Sequence, residues 1–290
     1  MNKQTAALLS IFSNSGLVVL KVAAGLAMGS ISVLSEAVHS AIDLLASVVA
    51  YFSIRKSNEP ADSEHPYGHG KFENISGFFE AILIFVAAGL IAWKAVIKLA
   101  KPAEMDQLGW GMLVMLASVV VNVGVSRVLF RVARREHSIA LEADAMHLSV
   151  DVWTSVGVFA GLVAIHFTGL HLLDPLVALG VAALILRAAW DLTRRALDDL
   201  ADRSLPEREL SVVEEVIGRY PEIRGYHRLR TRRSGKQREI DIHIKVAPEA
   251  DVASAHELCN RVEGEIRAQL PGTYVLIHVE PSPPGAAPRA

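Results

Sequence analysis

The chain has 290 residues, of which 51% are hydrophobic and 21% charged, and its formal net charge is −2. Such a balanced charge excludes the strongly basic field of nucleic-acid-binding domains, so we predict no nucleic-acid partner. Cys259 is the only cysteine, which excludes an intramolecular disulfide and a cysteine-based zinc site. No organic cofactor is predicted. Long apolar stretches fill 4–200, whereas charged residues are concentrated at 201–245.

Six segments in the first two thirds of the chain are suited to crossing a membrane. A bilayer-spanning helix needs roughly 20 mostly apolar residues. The segments lie at about 7–28, 31–54, 75–98, 109–131, 144–167 and 174–196. We therefore predict an all-α, six-helix transmembrane domain at 1–203, embedded in a lipid bilayer.

Basic residues lie mainly on one side of the predicted spans. That side carries Lys3, Arg55, Lys56, Lys71, Arg127, Arg131, Arg134, Arg135, Arg194, Arg195 and Arg203. The other side carries Lys94, Lys98 and Lys101. Because cytoplasmic loops are enriched in Lys and Arg, this bias predicts a multi-pass protein of the inner membrane with both termini in the cytoplasm.

The pattern of the chain changes after the sixth span. An amphipathic helix at 206–220 is followed by two alternating segments around a Ser-Gly turn, a helix at 251–269 and a last strand, "TYVLIHVEP". This order predicts a cytoplasmic α+β domain at 204–282 with αββαβ topology, one antiparallel sheet and helices on one face. The Pro-rich tail at 283–290 is predicted to be disordered.

Two of the predicted spans each contain a histidine and an aspartate four residues apart. His39 precedes Asp43 in the second span, and His147 precedes Asp151 in the fifth. Residues four apart share one face of a helix, so two adjacent helices would present two nitrogens and two oxygens to one point. That donor set suits a closed tetrahedral site for a divalent ion such as Zn²⁺. Helix-to-helix hydrogen bonding is the alternative, but ionisable groups cost about 2.5–3.5 kcal/mol at the bilayer centre and usually mark function.

Four protein ligands leave no open position for a reacting water, which favours a transporter over a metalloenzyme. A histidine must also lose its proton to bind a metal, so a site with alternating access would exchange metal for protons. Two other classes stay open. One is an intramembrane metalloenzyme, for which Glu36 is the only candidate base and the His-Glu-x-x-His motif is missing from the sequence. The other is a membrane-anchored metal sensor.

Several strings then suggest a family: "ADSEHPYGHGK", "EADAMHLSVDVWTS", "LDDLADRSLP", "HRLRTRRSGKQREIDIHI" and "VLIHVEP". With the paired motifs, they resemble the cation diffusion facilitator family of zinc transporters, in its bacterial ferrous-iron/zinc efflux type. The resemblance implies a homodimer with a metallochaperone-like cytoplasmic domain. It implies export of a divalent cation, zinc foremost, in exchange for protons by alternating access, with further Zn²⁺ in a structural or regulatory role. Histidine rather than aspartate at position 39 is associated in the family with zinc over cadmium, although iron, manganese, cobalt or cadmium stay open as the main substrate.

The resemblance also implies three further groups of functional residues. A loop metal site matches Asp62, His65 and His69. A two-ion cytoplasmic site at the interface of two protomers matches His227, His243, His256, His278 and Glu280, where family members often have aspartate at the last position. A charge pair linking the membrane and cytoplasmic parts matches Lys71 and Asp202.

Overall fold

The computed structural model describes residues 1–29, 31–100, 111–168, 170 and 172–283. The chain divides into two compact units, Met1–Leu197 and Asp198–Ala290. Three predicted features fall outside the described residues wholly or in part: Lys101, the start of the span at 109–131, and the tail at 283–290 beyond Pro283. The boundary predicted between 203 and 204 stays a prediction.

Six long helices form the first unit, one for each predicted span. They are α1 (Lys3–Met28), α2 (Ile31–Ser57), α3 (Phe72–Ala100), α4 (Gly111–Glu136), α5 (Ile139–Thr168) and α6 (Leu173–Leu200). The α1 helix begins at Asn2, whose side chain accepts a hydrogen bond from the Thr5 amide at 2.8 Å, and it ends at Gly29 in the left-handed conformation.

Five of these helices are long and apolar enough to cross a membrane, judged over the described residues. The spans are Lys3–Met28, Glu36–Ser57, Phe72–Leu99, Leu113–Glu136 and Pro175–Leu200. Large apolar side chains such as Phe12, Val19, Trp93 and Leu184 lie exposed on their outer faces. In water this would be an aggregation hazard, whereas in a bilayer these faces contact lipid tails.

The α5 helix lies in the middle of this unit. Its residues Leu141 and Leu148 pack in one buried cluster with α1, α2 and α4, while Ala143 and Val150 pack in a second with α3 and α6. Since its first half, up to Val150, is enclosed by neighbouring helices, this part of α5 can carry more polar groups than a lipid-facing helix tolerates.

The second unit has the predicted αββαβ order. Its elements are α7 (Glu207–Gly218), β1 (Gly225–Ser234), β2 (Gln237–Val246), α8 (Val252–Gln269) and β3 (Thr273–Pro281). The β1–β2 hairpin turns at Gly235, which has a φ of 57° that glycine adopts readily. The side chains of Ile240, Ile242 and Ile244 of β2 are buried against α7 and α8, and they form the core together with Val216, Val262 and Ile266.

The prediction of a wholly antiparallel sheet is wrong, because β3 pairs with β2 in parallel and the sheet, ordered β1-β2-β3, is mixed. The reason is the connection between the two strands. After β2 the chain returns along α8, so β3 starts at the same end as β2 and can only run parallel to it. The sequence pattern of alternating residues is the same for both pairings.

A charge cluster joins α7 to the hairpin. The Glu209 carboxylate accepts hydrogen bonds from Arg233 and Arg238 at 2.9–3.0 Å, with both arginines contacting it through two N–H···O contacts. The pairing with Arg238, and then with Arg233, holds the pKa of Glu209 below its usual value. The carboxylate therefore stabilises the fold when it is ionised.

Replacing Glu209 with Gln is expected to loosen this contact and cost about 1 kcal/mol, discounted for solvent screening. Because the pKa of Glu209 is lowered by folding, its contribution is present above the unfolded pKa and is lost as the pH falls through the folded pKa. Hydrogen exchange of α7 in the full chain should be faster in E209Q than in the wild type at pH 7. The difference should shrink below about pH 4.5, the usual glutamate range. Equal exchange at pH 7 would contradict the assignment.

Candidate metal sites

The α2 and α5 helices bring the four residues of the two His-x-x-x-Asp motifs together. We call His39, Asp43, His147 and Asp151 the quartet. Nε2 of His147 lies 2.8 Å from Oδ1 of Asp43, and Nε2 of His39 lies 3.6 Å from Oδ1 of Asp151. The ligand atoms of His39, Asp43 and Asp151 all lie within 4.8 Å of one another. Each histidine of one helix thus faces an aspartate of the other.

The quartet is buried unevenly. Asp43 is 2% exposed and His147 is 8% exposed, whereas the side chain of His39 is half exposed. The quartet offers two imidazole nitrogens and two carboxylates, a donor set that suits a borderline divalent cation. The two carboxylates also match the charge of one such ion.

Asn122, a buried polar residue of α4, also contacts the quartet and was not among the residues predicted from the sequence. Its side-chain amide donates to Oδ2 of Asp151 at 3.3 Å, so α4 orients one carboxylate of the quartet. The feature of the sequence that could have indicated Asn122 is an amide side chain within a membrane span that has few polar groups.

Glu36 contacts Lys21 at 3.6 Å, and Lys21 donates to Ser40 at 2.8 Å. Glu36 is thus one member of an ion pair between α1 and α2.

A second buried polar group missed from the sequence lies where α1 begins. Lys3 forms an ion pair with Glu73, and both side chains are almost fully buried. Ser57 at the end of α2 and Ser138 just before α5 also donate to the Glu73 carboxylate. This group, the Glu73 cluster, ties together four helix ends. Lys3 is therefore part of a buried ion pair, in addition to being one of the basic residues whose distribution indicates topology.

The predicted loop residues converge between α2 and α3. Oδ1 of Asp62 lies 3.5 Å from Nδ1 of His65, and Oδ2 of Asp62 lies 3.4 Å from Nε2 of His69. Nδ1 of His69 lies 3.2 Å from the Pro60 carbonyl, and donation to that oxygen leaves Nε2 with its lone pair toward Asp62. The His69 ring is 2% exposed and stacks on Phe72. The three side chains thus offer nitrogen and oxygen atoms, all within 4.8 Å of one another, that could hold a metal ion.

Backbone amides hold the aspartate of this loop in place. The amides of His65 and Glu64 donate to Oδ1 of Asp62 at 2.6 and 3.0 Å. Hydrogen bonds from these amides, first from His65, lower the pKa of Asp62 and keep it ionised. An anionic carboxylate is the state that binds a cation.

The cytoplasmic domain gathers four of its five predicted ligands on one face of the sheet. His227, His243 and His278 are register partners across β1, β2 and β3. Glu280 contacts all three, with its carboxylate 2.9 Å from Nδ1 of His243, 3.4 Å from Nε2 of His227 and 3.8 Å from Nε2 of His278. The hydrogen bond from His243 lowers the pKa of Glu280. The longer glutamate side chain therefore reaches the histidines.

His256 is not part of this group in one chain. It lies exposed on α8, and its Nε2 lies 3.2 Å from the side-chain amide nitrogen of Asn260. Cys259 on the same helix is buried in the core, and burial raises the pKa of its thiol. The resemblance places the site at the interface of two protomers, and the join between His256 and the other four residues stays a prediction.

The predicted charge pair is divided between the two compact units. Lys71 lies just before α3 in the first unit, and Asp202 lies in the second. Asp202 has a left-handed φ of 58° and accepts a hydrogen bond from Arg232 at 3.3 Å. The link between Lys71 and Asp202 stays a prediction.

Comparison with known proteins identifies both parts of the chain. The family model described as the cation efflux transmembrane domain matches residues 7–201, and that of the cation efflux protein cytoplasmic domain matches 205–282. The chain is 38% identical over 277 residues to the transporter sll1263 of Synechocystis, covering 95% of this chain and 89% of that protein. It is 32% identical over 277 residues to the cation-efflux pump FieF of Klebsiella pneumoniae, covering 96% of this chain and 92% of the pump.

Among solved structures, the chain is similar to the metal-bound C-terminal domain of the CzcD transporter from Thermotoga maritima. That match has 32% identity and a TM-score of 0.25, and it covers 27% of this chain and 94% of that one. The two family models together span almost the whole chain, and the full-length relatives are transporters. The chain is therefore a member of the cation diffusion facilitator family, and it is a multi-pass membrane protein of divalent metal efflux.

Proposed function

We propose that this protein exports Zn²⁺ from the cytoplasm in exchange for protons, by alternating access to the quartet. The observation that carries the proposal is the meeting of His39 and Asp43 on α2 with His147 and Asp151 on α5. Two imidazoles and two carboxylates suit zinc in tetrahedral coordination better than they suit the harder ions Mg²⁺ and Ca²⁺.

The same residues supply the proton coupling. A histidine nitrogen that carries a proton cannot bind a metal, so zinc and protons compete for His39 and His147. Zinc binds where the proton concentration is low and leaves where protons are abundant. An inward proton gradient across the inner membrane would then drive zinc outward.

The arrangement in the membrane belongs to the same proposal. Basic residues flank the spans on the side that carries the cytoplasmic domain, so we place both termini in the cytoplasm. We assign 1–203 to the transmembrane domain and 204–282 to the cytoplasmic domain. Homodimers would complete the cytoplasmic zinc site with His256, and the loop site at Asp62, His65 and His69 would bind a further ion.

Metal flux in proteoliposomes under an imposed pH gradient tests the function. Zn²⁺, Cd²⁺, Mn²⁺, Fe²⁺ and Co²⁺ are compared while the lumenal pH is recorded. We expect zinc to move fastest, with protons moving in the opposite direction, and a protonophore to abolish uphill movement. The Asp151→Ala variant should lose both fluxes. Zinc that binds without moving under any gradient would contradict export and favour a membrane-anchored sensor that uses the cytoplasmic histidines.

A further inference from the structure

Glu80 is a buried acid that the quartet does not use. It lies on α3 and is 2% exposed, and neither of its carboxylate oxygens has a hydrogen-bond partner among the described residues. A carboxylate used only to hold helices together would be hydrogen-bonded or paired, as Glu73 is two turns away on the same helix. Glu80 therefore needs another explanation.

Close packing of α3 and α5 places Glu80 in the interior. A Cβ atom added at Gly77, one turn before Glu80, would lie 3.2 Å from the carbonyl oxygen of Ile139. Ala81 and Ala143 continue this contact with small side chains. The two backbones approach closely, so the acid on α3 is directed toward α5 rather than lipid.

Asp144 on α5 is the charged group among the described residues that acts electrostatically on Glu80, and its neighbour Ala143 shares a buried cluster with Ala81, the neighbour of Glu80. Asp144 is 2% exposed and lies one helical turn before His147 of the quartet. Its Oδ1 accepts a hydrogen bond from Ser47 at 2.9 Å, and its Oδ2 has no hydrogen-bond partner among the residues that the structure describes. Ser47 in turn lies one turn after Asp43 on α2. Asp144 and Ser47 thus form a polar layer next to the quartet.

Hydrogen-bond donors from α1 complete this layer. Asn14 donates to Ser47 at 2.8 Å, and the Ser10 hydroxyl lies 3.0 Å from that of Ser47. On the quartet side, Nδ1 of His147 is buried, and no described residue forms a hydrogen bond with it. Four buried atoms on three residues thus have no hydrogen-bond partner within the described part of the chain: Oε1 and Oε2 of Glu80, Oδ2 of Asp144 and Nδ1 of His147.

Two neighbouring buried carboxylates without a cation are strongly unfavourable when both are ionised. A divalent cation would balance both charges and satisfy the free oxygens, with serine hydroxyl and imidazole nitrogen as further donors. The layer also lies between the quartet and the end of the bundle at which α2 ends and α3 and α5 begin. Along α3 that end is marked by Glu73, seven residues before Glu80.

We propose that Glu80 and Asp144 form a transit site for the divalent cation, one helical turn from the quartet. The ion binds there after it enters the bundle and passes to the quartet when the His147 and Asp43 side chains separate. This inference rests on the proposed export function.

Zinc uptake by the full chain in proteoliposomes tests the transit site with Glu80→Gln, Glu80→Asp and Asp151→Ala. E80Q removes the charge but keeps the shape. We expect it to raise the half-saturating zinc concentration by about tenfold or more, since loss of even supporting groups costs a metal site 10- to 100-fold. E80D should retain more of the wild-type affinity. The unfolding midpoint of E80Q should be unchanged or higher, because the amide can donate to Asp144.

The outcomes separate the two proposals. If Asp151→Ala stops flux and E80Q has the wild-type zinc dependence, the transit site is wrong while the export function stands. If Asp151→Ala transports normally, the export function itself fails. If E80Q changes the number of protons moved per zinc ion but leaves the zinc dependence unchanged, Glu80 carries protons rather than the metal. That result would overturn the metal site.

Discussion

Replacement of Asp43 by Asn is expected to lower zinc flux at subsaturating zinc by at least about 100-fold, since a ligand should matter at least as much as the groups that orient ligands. Asp43 is the most buried member of the quartet, and its carboxylate contacts His147 at 2.8 Å. Asn keeps the shape and can still hydrogen-bond to the imidazole. It removes one of the two negative charges that balance the ion, so folding should survive while zinc binding fails.

The measurement is the initial rate of zinc uptake in proteoliposomes over a range of zinc concentrations. Ser40→Ala is the matched control, because Ser40 is also a buried polar residue of α2 and is bound by Lys21 rather than by the quartet. We expect S40A to keep most of its flux. If D43N and S40A behave alike, the quartet is not the transport site.

Replacement of Glu73 by Ala is expected to destabilise the transmembrane unit by about 3–5 kcal/mol, the usual cost of removing one partner of a buried ion pair. The variant leaves the Lys3 ammonium buried without its counter-charge. It also removes the acceptor for Ser57 and Ser138, so four helix ends lose a common contact.

The chain offers separate probes for its two units. All four tryptophans precede residue 198 in the sequence, at positions 93, 110, 153 and 190, whereas Cys259 is buried in the cytoplasmic domain. In a denaturant titration, E73A should shift the tryptophan fluorescence midpoint and leave the labelling of Cys259 unchanged. The double variant Lys3→Met/Glu73→Leu should recover much of the loss, because an apolar pair can replace a buried ion pair. A tryptophan midpoint equal to the wild type in E73A would contradict the role of the Glu73 cluster.

In the cytoplasmic domain, the local sequence pattern predicts which residues are buried but not how the strands pair. Alternation in β2 predicts which residues face the core, and Ile240, Ile242 and Ile244 are indeed buried. Alternation does not distinguish a parallel partner from an antiparallel one, since both place successive side chains on opposite faces. The parallel pairing of β3 follows from the return of the chain along α8, and it brings His243 and His278 into register.

In the transmembrane unit too, local spacing predicts some features and tertiary packing decides others. The four-residue spacing in α2 and α5 places each histidine on the same face as its aspartate, and composition predicts that these segments are helices within a membrane. Glu80 and Asp144 have no such spacing to mark them, because they lie on different helices. Their proximity depends on the close approach of α3 and α5 at Gly77.

The sequence by itself thus determined the helices, the αββαβ order and the residues of the two His-x-x-x-Asp motifs, because each depends on contacts within a few residues along the chain. Tertiary structure alone decided the contacts between elements that no motif marks, such as those of Asn122 with Asp151 and of Lys3 with Glu73. Periodicity shows which face of an element is buried, but not what lies against it. That partner is selected by the packing of the whole chain.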